Sequence, residues 1–305
     1  MANTKEIKDR IKSVKDTQKI AKAMYLISST KMRKAKAELD GTRPYFSALK
    51  REIGRIFGYF EDIQSRYFYS KDYTAPTDKP DACLVITADK GLSGAYNQNA
   101  IKEAEKLLKI NPDTKLFVVG EYGRQYFMRH NIPVEQSFLY TAQNPTMGRA
   151  REICRTLLDL YDSRAADEIY IIYTDLKRDI NQRAETVRLL PLERGAFKAT
   201  SNKNDRFEFW PDAVKVLESI VPAFLTGFIY SALVDSFCSE QNARMMAMSA
   251  SNDNAEAIVS KLSMQYNHLR QADITREITE VTAGAKAQIR KRKARESGNE
   301  HRKNS

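Results

Sequence analysis

The chain has 305 residues, 42% of them apolar, enough for one real core in one or two domains, and a formal net charge of +11. Cys83, Cys154 and Cys238 stand far apart, and no two of His130, His268 and His301 fall at i, i+3 or i, i+4, which argues against a disulfide framework and a paired-ligand metal site. The charged start MANTKEIKDR has no apolar export-signal stretch behind it, and the cysteine usage suits a reducing compartment.

Proline is absent before Pro44 and after Pro222, so both ends are free to form long helices. In the first, Ile7, Ile11, Val14, Gln18, Ala21, Tyr25, Ser28, Met32, Ala35 and Leu39 follow the alternating 4,3 spacing of a heptad seam. Ile20, Met24 and Ile27 add a second apolar stripe, so this helix needs more than one neighbour. Gly41 to Pro44 is a candidate kink, after which Tyr45, Leu49, Ile53 and Ile56 resume the period. We assign residues 1–66 to this helical segment and 67–80, rich in proline and without a period, to a linker.

The next stretch alternates short apolar runs with helical patterns. Strands are expected at Ala82–Thr87, Leu116–Val119 and Ile169–Tyr173, and helices near Tyr96–Leu108, Tyr122–Arg129 and Met147–Tyr161. This βαβαβ order predicts a small Rossmann-like α/β domain, residues 81–206, with a mainly parallel sheet and an edge strand near Thr186–Leu192. Asn202 to Arg206 reads as a polar loop. From Pro211 to Ile289 a helix would be on the order of 110 Å long, more than a compact domain needs. The fold class is therefore mixed α+β and α/β: a long antiparallel coiled coil of the two terminal helices, with residues 207–289 as the second, carrying the small domain. Residues 290–305 are basic and expected to be disordered; from Lys286 onward there are eight Lys and Arg against Glu296 and Glu300. Ser219 to Val234 is uncharged but short of a bilayer span and reads as a buried helix.

Chemistry-bearing patterns are few. Thr87 to Gly94, TADKGLSG, sits where a strand hands over to a helix, the place where α/β folds cradle phosphate, but it lacks both the third glycine of a dinucleotide fingerprint and a Gly-Lys-Ser/Thr ending. A tight turn that needs glycine is the plainer reading. Asp89, Asp175 and Asp179 lie near strand ends and could cluster, although caps and surface charges are commoner. Met245, Met246 and Met248 suit core or seam packing, and Arg270-Gln271 places a fork donor beside an amide in mid-helix.

At IKSVKDTQKIAKAMYLISSTKMRKAKAE, ITADKGLSGAYN, SEQNARMMAMSASNDNAEAI and YNHLRQADITREITEV, in that order, the sequence resembles the γ subunit of F-type ATP synthase. The resemblance implies a non-catalytic rotor shaft without a cofactor, turned by the c-ring inside a hexamer of α and β subunits. Its α/β domain would form a foot with the ε subunit. It also implies β-subunit contacts at Met24, Lys31, Arg33, Lys34, Arg270, Gln271, Thr275, Glu277 and Glu280, and ε or c-ring contacts at Thr226, Gly227 and Tyr230. Gly227 departs from the polar or acidic residue usual there, and family chains commonly stop soon after a segment like Val281 to Ala285. The implied place is the cytoplasmic face of a bacterial cell membrane, with membrane association only through the complex and no nucleic-acid partner. Two other classes fit the residues alone: a basic coiled coil binding nucleic acid in a salt-sensitive way, and a small α/β enzyme using Gly91 to Gly94.

Overall fold

A computed structural model describes residues 4–60, 63–68, 80–136, 138–175, 183–197 and 209–303, with side chains as far as residue 291. Helix α1 spans Thr4–Tyr59. Strand β1 (Ala82–Ile86), helix α2 (Tyr96–Ile110), strand β2 (Lys115–Val119) and helix α3 (Glu121–Arg129) follow. Then come helix α4 (Met147–Asp162), strand β3 (Ile169–Thr174) and strand β4 (Ala184–Leu190). Helix α5 runs from Ala213 to Lys303, 91 residues. The chain divides into two compact units, residues 24–248, and residues 1–23 with 249–305.

In the larger unit the sheet order is β2-β1-β3-β4, with β1 parallel to both β2 and β3, and β4 antiparallel to β3. Alternate residues of a strand point to opposite faces, and here each face has its own core. Leu84, Ile86, Phe117, Val119, Ile169 and Ile171 pack with buried residues of α1, α4 and α5; Cys83, Val85, Leu116, Val118 and Ile172 pack with α2 and Phe127 of α3. Both faces are covered, which is why β1 reads as an unbroken apolar run and is buried throughout.

Helix α5 adds Leu217, Val221, Leu225, Ile229 and Leu233 to the first of these cores. Among the described residues it is the one helix long and apolar enough to cross a membrane, and its uncharged stretch serves the core. Two serines pin it to β3: Ser236 Oγ accepts from Thr174 N at 3.2 Å, and Ser239 Oγ donates to Thr174 O at 3.2 Å. Cys238 contacts Met32 O, and Gly227 abuts Phe46, so α1 and α5 are antiparallel in this unit.

The smaller unit is built from the start of α1 and the second half of α5. Ile7, Ala21 and Ala255 are buried in it, two of the three small enough to let helices approach closely. Thr4 Oγ1 donates to Asp273 at 2.7 Å. Along the whole seam of α1 every expected position is buried or half-buried except Tyr25, whereas Ile20 and Ile27 of the second stripe are more than half exposed.

Pro44 lies within α1 without ending it; the carbonyl of Asp40 that loses its donor is on the exposed side. Several boundaries differ from the sequence reading. The helix stops at Tyr59 rather than residue 66, and Tyr67 and Phe68, assigned to the linker by composition, are core: Leu192 N donates to Tyr67 O at 2.7 Å. At the other end α5 continues past Ile289 to Lys303 where disorder was expected, in a sequence rich in helix-forming Arg and Lys. Residues 69–79, Asp179 and the loop Asn202 to Arg206 lie outside the described residues.

Candidate functional site

The strand-to-helix turn after β1 is held by side chains that work on its own backbone. Asp89 accepts from three N–H groups, those of Glu121 at 3.2 Å, Ala142 at 3.0 Å and Gln143 at 3.2 Å. One of these is at the start of α3, where a carboxylate also answers the exposed N–H groups of the first turn. Thr87 Oγ1 donates to Val119 O at 3.0 Å and accepts from Gly123 N at 3.1 Å. Asn97 Oδ1 accepts from Ala88 N at 2.8 Å.

The glycines nearby answer to the same packing. Gly120 has φ +97°, and a Cβ there would meet Thr87 Oγ1 at 2.7 Å as well as the backbone of Thr87 and Ala88; at Gly123 it would meet Thr87 Oγ1 at 2.5 Å. The turn is thus a structural joint, in which Asp89 and Thr87 are committed to protein donors and acceptors. Of the three aspartates that could have clustered, Asp89 and Asp175 belong to no metal-binding group among the described residues, and Asp179 lies outside them.

Arg244 ties α5 to this joint. It pairs with Glu240 at 2.6 Å, one helical turn away, and donates to Gly91 O at 3.1 Å; both side chains of the pair are at most 10% exposed. Burial pushes the Glu240 carboxyl above its ordinary range and Arg244 pulls it back only in part. Burial also pushes up the phenol of Tyr96, with the Glu240 charge adding to the effect. The i, i+4 spacing of Glu240 and Arg244 was the signal for this pair in the sequence; nothing local marked its bond to Gly91.

The residues expected to face a partner fall into three groups. Met24 is half-buried and Lys31, Arg33 and Lys34 are exposed on one stretch of α1; Met24 and Lys31 line a cavity of about 250 Å3 together with Lys90, Glu240, Gln241 and Arg244. Arg270, Gln271, Thr275, Glu277 and Glu280 are all exposed on α5 in the smaller unit, and Thr275 Oγ1 donates to Gln271 O at 2.8 Å. Beside them Ile274, Ile278 and Val281 are 43%, 62% and 68% exposed, an apolar strip no polar reading had named.

Thr226, Gly227 and Tyr230 are differently placed. Thr226 is half-buried and donates to Pro222 O at 2.8 Å, Gly227 is buried against Phe46, and Tyr230 is 4% exposed. Two of the three therefore serve the chain's own core, because this part of α5 turns its small and aromatic residues toward α1. Of the methionines, Met248 is buried and Met246 is 55% exposed, so the run serves packing and surface at once.

Comparison with known proteins gives one consistent picture. The family model described as ATP synthase matches residues 3–288. The ATP synthase gamma chain of Caldanaerobacter subterraneus subsp. tengcongensis is 42% identical over 292 residues, covering 92% of this chain and 98% of that one. The gamma chain of Acetivibrio thermocellus is 40% identical, covering 94% and 99%. Among solved structures, a chain of the Euglena gracilis mitochondrial ATP synthase, in a structure of its OSCP, F1 and c-ring, superposes with a TM-score of 0.60 at 14% identity, covering 93% of this chain and 94% of that one, a likeness of fold.

Proposed function

This chain belongs to the ATP synthase gamma-chain family, and we propose that, as a central-stalk rotor subunit coupling ion-driven rotation to ATP synthesis, it has no catalytic residue of its own. ATP chemistry then resides in the α and β subunits, and the chain acts on β through two exposed stretches: Lys31, Arg33 and Lys34 with Met24 on α1, and Arg270, Gln271, Thr275, Glu277 and Glu280 on α5. At the other end it meets ε and the c-ring. Only Thr226 of the three residues named for that contact offers surface; Gly227 and Tyr230 support it from within.

The observation that carries the reading is the state of the turn at Thr87 to Gly94. At the turn from Thr87 to Gly94 the Thr and Asp side chains are engaged with backbone and Arg244 is bonded to Gly91, so none of these three side chains is left to hold the phosphates and Mg2+ of a nucleotide. A polar stretch on a helix, by contrast, is free to meet different neighbours as it turns. The membrane association follows from the complex, and we place the chain on the cytoplasmic face.

Reconstitution with purified α and β subunits tests this. The chain alone is expected to show no ATP hydrolysis, and α with β to gain sustained hydrolysis when it is added. Hydrolysis by the chain alone would contradict the reading.

A further inference from the structure

The cavity beside Arg244 has a chemical character that the rotor contacts do not require. Ser28 is 2% exposed and Gln241 3% exposed, both line the cavity, and neither side chain has a hydrogen-bond partner among the described residues. Neither is a sealed group: both open on the cavity, so a molecule entering it can complete their hydrogen bonds. Lys31 and Lys90 also line the cavity and form no ion pair among the described residues; Lys31 has only a through-space attraction to Glu240. The single carboxylate in the wall, Glu240, is neutralised by Arg244 at 2.6 Å.

The unengaged groups are thus two ammonium ions, the Ser28 hydroxyl and the amides of Gln143 and Gln241, which together offer donors in excess. They call for a compact anion with several acceptor oxygens. At about 250 Å3 the space falls below the ~300–1,000 Å3 usual for drug-sized ligands, which suits a small anion better than a whole nucleotide. We propose that this cavity binds a small oxyanion of the phosphate class, held by Lys31, Lys90, Ser28 and Gln241. The inference goes beyond the rotor reading and does not rest on it. Bound there, the anion would join α1, the turn at Gly91 and α5 through one set of charge-assisted hydrogen bonds.

Titration calorimetry of the full chain with inorganic phosphate, at constant ionic strength balanced with chloride, tests it. Saturable one-to-one binding is expected, weakened about tenfold (~1.4 kcal/mol) by either Lys31→Gln or Lys90→Gln. Lys102→Gln, an exposed lysine on α2 away from the cavity, should leave it unchanged. Gln241→Leu should weaken it without altering the net charge. Absence of saturable binding, binding that survives both Lys31→Gln and Lys90→Gln, or an equal loss in Lys102→Gln would each overturn the proposal. Since no subunit other than this chain is present, these outcomes are independent of the test of rotation.

Discussion

The ring of Phe46 on α1 occupies the space that a side chain at Gly227 on α5 would need: a Cβ built on Gly227 overlaps three of its ring carbons. Two antiparallel helices meet there at the closest approach that one glycine permits.

Substituting that glycine should therefore run against the usual trend. In a helix interior Gly→Ala stabilises by about 0.5–1 kcal/mol, whereas Gly227→Ala is expected to destabilise by about 1–3 kcal/mol because the core is overpacked. Phe46→Leu placed in the same chain should recover part of the loss. Urea denaturation of the three chains gives the answer; a stabilised single variant would mean that Phe46 moves aside freely.

Thr87→Val is nearly isosteric but removes an oxygen that serves Val119 O and Gly123 N in the interior. Val119 O keeps its bond from Thr87 N at 2.9 Å, but Gly123 N is left unpaired in the interior, which should destabilise the chain by about 1–3 kcal/mol. Amide hydrogen exchange should locate the loss at Gly123 and the start of α3.

Arg244→Met leaves the buried Glu240 without its counter-charge and should destabilise by about 3–5 kcal/mol, while Glu240→Met with Arg244→Met should be much milder. The pH dependence has a definite sign. Burial already raises the Glu240 carboxyl above its unfolded value of 4.5, so the folded state binds this proton more readily and gains stability as pH falls through the folded value. Removing Arg244 raises it further. The deficit of Arg244→Met relative to the unsubstituted chain should consequently shrink as pH is lowered from 7 toward 5, as denaturation curves at each pH would register.

Arg270→Ala with Gln271→Ala touches exposed side chains only, so the chain's stability should change by less than about 0.5 kcal/mol. In the reconstituted complex the pair should slow turnover or weaken the coupling of hydrolysis to ion pumping. If both rates were unaltered, the proposed contact to β would be wrong.

Much of this architecture was legible because periodicity reports burial directly. The 4,3 seam from Ile7 to Leu39 and the apolar runs at β1, β2 and β3 each follow one simple rule, and apart from Tyr25 the seam and these runs are buried or half-buried wherever their apolar residues fall. What the sequence hid depends on partners distant in the chain. Tyr67 and Phe68 look like linker until Leu192 lies beside them, and Gly227 looks like a surface position until Phe46 is seen. The duties of Asp89, which reach residues 32 to 54 positions away, have no local signature. The exposed residues of α5 were readable as a surface, but one chain alone carries no record of what touches it.

The central claim is that this chain turns within its complex, and its thiols make that measurable. Cys83, Cys154 and Cys238 are buried, with burial pushing the Cys154 thiol up to about 11 and the Cys238 thiol up to about 12, and Cys83 higher still, so they should resist maleimide at pH 7. A single Asp113→Cys on the exposed turn after α2 would then carry a bead while α and β subunits are fixed to a surface. With ATP the bead is expected to rotate in one direction at a rate set by hydrolysis. Full-rate hydrolysis with a stationary bead would contradict the account.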